Sequence, residues 1–174
     1  MHNPLKPTVY SALFVALISV GAFISIPIGP VPIVLQNMFV LLAGLILGPV
    51  WGLGCVGIYL LMGLAGLPVF AGGTSGIGKL FGPTGGYLIS YLPAVFITAT
   101  LSRGMKKSLA GDLLAMTMGS LIIYIVGVPW LKIVLSLSWE KALGAGMVPF
   151  LIGDALKVVA GAVLAKKLRP LTRF

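Results

Sequence analysis

From Pro7 to Gly78 the chain runs 72 consecutive residues without Asp, Glu, Lys or Arg. No soluble domain tolerates so long an uncharged stretch, whereas each bilayer-spanning helix needs about 20 such residues. The strict alternation over ~10-residue segments that marks a membrane β-barrel is absent. Helices satisfy their own backbone groups in lipid, so the pattern predicts transmembrane helices. Gly and Pro punctuate it. The first span is placed at Thr8–Ile26, ended by the string Pro27-Ile28-Gly29-Pro30-Val31-Pro32. The second covers Ile33–Leu47 and stops at Gly48-Pro49; the third covers Val50–Leu67. A Gly-rich loop from Pro68 to Gly86 follows, then a fourth span at Tyr87–Leu101 and a basic loop with Arg103, Lys106 and Lys107. The fifth span is Asp112–Leu135, bent near its end by Pro129, and the sixth is Val148–Leu168. The second and third spans are short, so tilt or local bilayer thinning is expected. The fold class is an all-α integral membrane protein with six transmembrane helices. They form a single transmembrane domain over residues 1–174.

Composition removes the alternatives. Hydrophobic residues make up 59% of the chain and charged residues 9%, too few charges to cover a soluble surface. Disorder is excluded by the same apolarity. A disulfide scaffold is excluded because Cys55 is the only cysteine. The net charge of +9 would suggest nucleic acid, but the bases are dilute and flank apolar segments. They report orientation instead. With the N-terminus inside, the inner side carries Lys6, Arg103, Lys106, Lys107, Lys166, Lys167, Arg169 and Arg173, and the outer side only Lys79 and Lys141. That asymmetry obeys the positive-inside rule and predicts both termini in the cytoplasm. Lys132 and Lys157 fall within spans. A cleavable signal peptide is not expected, because the first span lacks a convincing cleavage site and runs on into the second. There is no internal sequence repeat, so an inverted-repeat transporter gains no support.

The candidate chemistry is sparse. Gly73-Thr74-Ser75-Gly76-Ile77-Gly78-Lys79-Leu80 approaches a phosphate-binding loop, but that motif ends in Ser or Thr and here the position is Leu80. The segment is read instead as a connector or as a lid folding over a ligand on the outer face. Asp154 and Lys157 carry the strongest signal. Both lie well inside the sixth span, and a spacing of three puts them on one helical face. An ionisable side chain in a span costs at least ~2.5 kcal/mol and marks a functional site by default. The pair offers an acceptor beside a donor, suited to a small polar head bearing N–H and C=O groups; an internal ion pair fixing helix packing is the alternative. Gln36 and Asn37 open the second span on the same outer half, and Tyr59, Tyr87 and Tyr91 are candidate pocket walls. Ala12 and Ala16 make a small-xxx-small pair, which lets helices approach closely. His2 is terminal, and no His/Cys/carboxylate cluster for a metal or Ser-His-Asp set exists, so the chain is not read as an enzyme and no cofactor is implied.

Four strings together resemble a known family. They are Gly29-Pro30-Val31-Pro32-Ile33 with Leu35-Gln36; Gly66-Leu67-Pro68-Val69-Phe70-Ala71-Gly72-Gly73; Gly82-Pro83-Thr84-Gly85-Gly86-Tyr87; and Gly153-Asp154 with Lys157. They are similar to BioY, the biotin-binding S-component of energy-coupling factor (ECF) transporters, and the match spans nearly the whole chain. The resemblance implies a six-helix bundle in the cell membrane of a prokaryote that captures biotin from outside. Its partners would be a transmembrane coupling subunit and two ABC-type ATPase subunits, and it would topple in the membrane to release the vitamin inside. By the same resemblance Asp154 and Lys157 hold biotin, with Gln36, Gly73, Thr74 and Tyr87 as further binding residues. Ala12-Leu13-Phe14-Val15-Ala16 resembles the motif by which S-components contact the coupling subunit. Biotin's ureido ring has two N–H donors and one carbonyl, which Asp154 and Lys157 can meet. Thr74 stands where some members carry Asn, and Leu88 where some carry Arg. The partner of biotin's carboxylate is thereby left open among Lys79, loop amides and solvent. An S-component for another vitamin, a passive channel and an intramembrane enzyme remain as alternative readings.

Overall fold

The computed structural model describes residues 5–170, so His2 and Arg173 lie outside the described residues. The chain folds as α1 (Leu5–Phe23), β1 (Ser25–Ile26), β2 (Ile33–Val34), α2 (Gln36–Leu47), α3 (Pro49–Leu64), α4 (Gly78–Phe81), α5 (Gly85–Gly104), α6 (Leu109–Val134), α7 (Trp139–Gly146), a 3₁₀ turn (Val148–Phe150) and α8 (Leu151–Leu168). The six sequence-predicted spans correspond to α1, α2, α3, α5, α6 and α8. Among the described residues, α1, α5, α6 and the run Trp139–Leu168 are long and apolar enough to cross a membrane; α2 and α3 are shorter apolar helices.

Several boundaries differ from the sequence reading, each for a local reason. The first span stops at Phe23, and the Pro-rich string makes a hairpin in which Ser25 pairs with Val34 and Ile26 with Ile33, antiparallel. Leu35 then donates its N–H to the carbonyls of Gly21 and Ile24 at 3.1 and 3.2 Å, which ties the start of α2 to the end of α1. α6 ends at Val134, one residue short of the expected Leu135, with Pro129 inside it, and begins three residues earlier than expected, at Leu109. α7 is an element the sequence reading left as loop: the Ser138 side chain caps it by accepting from the Lys141 N–H. Lys132, in the last turn of α6, lies 5.3 Å from the Trp139 ring, a cation–π contact rather than a bare charge within a span. The sixth helix starts at Leu151, so Asp154 occupies its first turn and is not deep within it.

α2 is the axis of the bundle. None of its residues is exposed, and α1, α3, α5, α6 and α8 pack around it. A helix apolar on all sides belongs inside a bundle. Its 12 residues span about 18 Å, against a hydrocarbon core of about 30 Å. Protein meets that length on every side. The turn into α3 is a single residue, Gly48, at φ 82°. A side chain there would be strained and would strike the Arg103 guanidinium.

A second ion pair lies at the end of the bundle where α2, α5 and α8 finish and α6 begins. Arg169, at the C-terminal cap of α8, grips Asp112 bidentately at 2.6 and 2.7 Å. Ser102 donates to the same carboxylate at 2.6 Å. The guanidinium also donates to the Ser102 hydroxyl at 2.9 Å, the Lys107 carbonyl at 2.8 Å and the Leu45 carbonyl at 3.4 Å. Asp112 is fully buried. Partial desolvation and the nearby Arg169 and Arg103 guanidiniums hold the Lys107 ammonium below its ordinary pKa. The sequence reading placed Asp112 at the start of a span and Arg169 among the inner bases, without joining them.

Candidate functional site

At the opposite end, the first turns of α2, α5 and α8, the later half of α6, the hairpin and the Gly-rich loop enclose a cavity of about 160 Å³. Each of these elements reaches this end for a reason of connectivity. The hairpin brings the chain from α1 into α2, the Gly-rich loop brings it from α3 into α5, and α7 with its 3₁₀ turn brings it from α6 into α8. The walls are Pro30, Val31, Val34, Phe70, Leu88, Ile123 and Phe150 with a small set of polar groups, the usual make-up of a small-molecule site.

Asp154 and Lys157 form the predicted pair, with Nζ to Oδ1 at 2.8 Å and both side chains nearly buried. Two further residues complete the cluster. The Asn37 amide donates from Nδ2 to Asp154 Oδ1 at 3.0 Å, and its own Oδ1 accepts from Lys157 Nζ at 3.3 Å. The Tyr124 hydroxyl donates to Asp154 Oδ2. The carboxylate therefore has three donors around it, which is how a buried charge is stabilised. The geometry also shows what the pair can hold. One planar amide presents its N–H to the acid and its carbonyl to the base at the same time.

The other sequence-predicted residues separate into groups. Gln36 is 1% exposed and lines the cavity, but its amide nitrogen donates to the Tyr59 hydroxyl at 2.7 Å. Tyr59 in turn donates to the Val69 carbonyl at 3.0 Å and stacks edge-on against Phe70, with ring centroids 5.7 Å apart. Tyr59 therefore supports the cavity from behind and does not line it. Tyr87 lines it, with its hydroxyl donating to the Gly146 carbonyl at 2.8 Å. A Cβ on Gly127 would lie 2.5 Å from the Tyr87 ring and one on Gly146 would collide with its hydroxyl, so both glycines are there for close packing. Tyr91 lines the cavity, and its hydroxyl makes no hydrogen bond among the described residues. Thr74 lines it too, with its hydroxyl donating to the Ala71 carbonyl at 3.0 Å.

Gly73 is not a wall of the cavity. With Gly72 it makes a turn at φ 69° and 72°, anchored where the Gly72 N–H donates to the Ala22 carbonyl at 3.1 Å. Loop amides that a phosphate-binding loop would present to a ligand donate here to the protein's own carbonyls: Gly73 and Thr74 to Phe70, Gly76 to Gly63, and Lys79 to Gly76. Ala12 and Ala16 do not line the cavity; they are exposed on α1, as are Val9, Leu13 and Val20. No metal-binding group of three His, Cys, Asp or Glu occurs among the described residues.

Of the residues around Asp154, sequence reasoning undervalued Asn37 and missed Tyr124. Asn37 was noted only as the neighbour of Gln36. Tyr124 carried a usable signal, since it sits in mid-span, away from the interfacial ends where membrane tyrosines concentrate.

The chain matches the model of the BioY family over residues 1–174. It is 45% identical to a probable biotin transporter BioY of Pyrococcus horikoshii, covering 91% of this chain and 93% of that one. It is 41% identical to the biotin transporter BioY of Thermotoga maritima, covering 96% and 98%. The crystal structure of an S-component for biotin from an ECF-type ABC transporter superposes with a TM-score of 0.92 at 34% identity, over 98% of this chain and 95% of that one. A multi-pass helical membrane protein with this sequence and this arrangement of helices belongs to the BioY family.

Proposed function

We propose that this chain is the biotin-binding S-component of an ECF-type transporter in the cytoplasmic membrane of a prokaryote. The observation that carries the reading is the Asn37 amide seated between Asp154 and Lys157. A ureido ring is an amide doubled, and it presents the same N–H beside the same carbonyl. Biotin would take that position with Asp154 accepting from a ureido N–H and Lys157 donating to the ureido oxygen. The ring sulfur and valeryl chain would lie against Phe70, Leu88, Ile123 and Phe150. Gln36 and Tyr87 hold the walls in place, and Gly73 and Thr74 shape the loop that covers them.

The charge distribution supports a cavity open to the outside. Lys6, Arg103, Lys106, Lys107, Lys166, Lys167 and Arg169 gather where α1 begins and α2, α5 and α8 end, opposite the cavity. With that basic end in the cytoplasm, the cavity faces the external medium. Release inside then requires a coupled change driven by others. Ala12 and Ala16 are the contact for a transmembrane coupling subunit, itself driven by two ABC-type ATPases, and they lie on an exposed helix face as such a contact requires.

Isothermal titration of the purified chain with biotin, riboflavin, thiamine and lipoate tests the ligand. Biotin binding alone is expected, and preference for another of the four would overturn the reading. Uptake of labelled biotin by proteoliposomes tests the coupling. ATP-dependent transport is expected only when the coupling and ATPase subunits are present; equilibration by the chain alone would make it a channel.

A further inference from the structure

Of the cavity's polar side chains, those of Gln36, Asn37, Thr74, Tyr87, Tyr124, Asp154 and Lys157 are engaged in hydrogen bonds within the protein. Lys79, Thr84 and Tyr91 make no side-chain hydrogen bond or ion pair among the described residues, and only Lys79 is charged. Lys79 sits half-buried on α4, in the loop segment that roofs the cavity. Among the described residues no acid answers its charge there. Asp154 is held by Lys157, Asp112 lies at the far end with Arg169, and Glu140 stands outside the cavity on α7. Asp154 and Lys157 cancel, so the cavity keeps one net positive charge at Lys79.

We propose that Lys79 is the anchor of the ligand's carboxylate, and that it makes the free acid the form this protein accepts over its amides and esters. This rests on the biotin reading above, and names the group that holds the end of the molecule away from the ureido ring. A half-buried ammonium beside apolar walls gains most from an anionic partner, because charge-assisted hydrogen bonds are about twice as strong as neutral ones. The loop backbone is a poor rival. Phe70, Thr74 and Lys79 already donate their N–H groups to the carbonyls of Thr74, Phe70 and Gly76, which leaves the neutral amides of Ala71 and Thr84 among the loop residues lining the cavity. Leu88, across the cavity, offers no donor.

The test is titration of the parent, Lys79→Met and Lys79→Arg with biotin and with biotinamide, the fold of each variant being checked by its melting curve. In the parent the acid is expected to bind roughly ten- to a hundredfold more tightly than the amide, the range of a charge-assisted hydrogen bond. In Lys79→Met that ratio falls to about one, and Lys79→Arg restores most of it. A parent that binds acid and amide alike overturns the proposal, whether or not the variants fold. So does a Lys79→Met protein that keeps the parent's ratio, which would assign the carboxylate to Ala71, Thr84, Tyr91 or solvent. A parent that binds neither compound is a different failure, because it removes the biotin reading itself.

Discussion

Replacing Asp154 by Asn changes one atom and one charge without opening a cavity, so it isolates what the carboxylate contributes. In the parent, Oδ1 accepts from Lys157 and Asn37 and Oδ2 from Tyr124. An asparagine must turn its NH₂ toward one of these. Lys157 and Asn37 Nδ2 are donors only, so the new NH₂ would point at the Tyr124 hydroxyl, which can rotate to accept. The carbonyl oxygen stays with Lys157 and Asn37. The protein keeps a connected network, but a ureido N–H now meets a neutral amide instead of a carboxylate. Hydrogen bonds to a charged group contribute about 1.5–3 kcal/mol and neutral ones about 0.5–1.5, and the Lys157 charge has also lost its counter-ion. The difference, about 1–1.5 kcal/mol, weakens biotin binding about 5- to 13-fold. Titration calorimetry on detergent-purified protein measures it, with the melting temperature and elution profile reporting the fold. If Asp154→Asn is folded and binds within about threefold of the parent, the carboxylate does not meet the ligand and the pair is a packing device.

Arg169→Met should act in the opposite sense, on stability and not on affinity. It leaves the fully buried Asp112 with Ser102 as its side-chain partner, and breaking a buried pair costs about 3–5 kcal/mol, visible as a lower melting temperature. The double variant Asp112→Leu/Arg169→Met should recover much of the loss, since no uncompensated charge remains; a double variant no better than the single would refute that account. Ala16→Trp places a bulky ring on the exposed face of α1 and should abolish ATP-dependent uptake while biotin titration matches the parent. Weakened binding instead would show that this face communicates with the cavity.

What could be read from the sequence followed the range of each signal. Apolar runs and their Gly and Pro breaks located the helices α1, α2, α3, α5, α6 and α8, because hydrophobicity and helix termination are local. Asp154 and Lys157 were legible because a spacing of three fixes their face on any helix. Asn37 reaches Asp154 from 117 residues away and Tyr124 from 30, and Arg169 reaches Asp112 from 57; no local rule joins such residues. The hairpin was hidden for another reason. Prolines at 27, 30 and 32 read as a linker, and only the return of Leu35 onto Gly21 and Ile24 shows that the linker is paired. α7 was missed because its eight residues are too few for a periodic pattern, although Ser138 supplied a capping signal.

The buried position of α2 bears on how the protein is made. Its 12 residues and the single-residue turn into α3 give the insertion machinery neither a helix long enough to settle in lipid alone nor a loop to separate two insertions. Three of the surfaces that enclose it, on α5, α6 and α8, lie later in the chain and the last ends at Leu168. During synthesis α2 and α3 must therefore wait as a provisional hairpin, and the central helix gains the last of its surroundings only once α8 has followed. A truncation before α8 should leave a chain that enters the membrane but is captured by quality-control proteases, and ribosome-stalled intermediates of increasing length would show where that vulnerability ends.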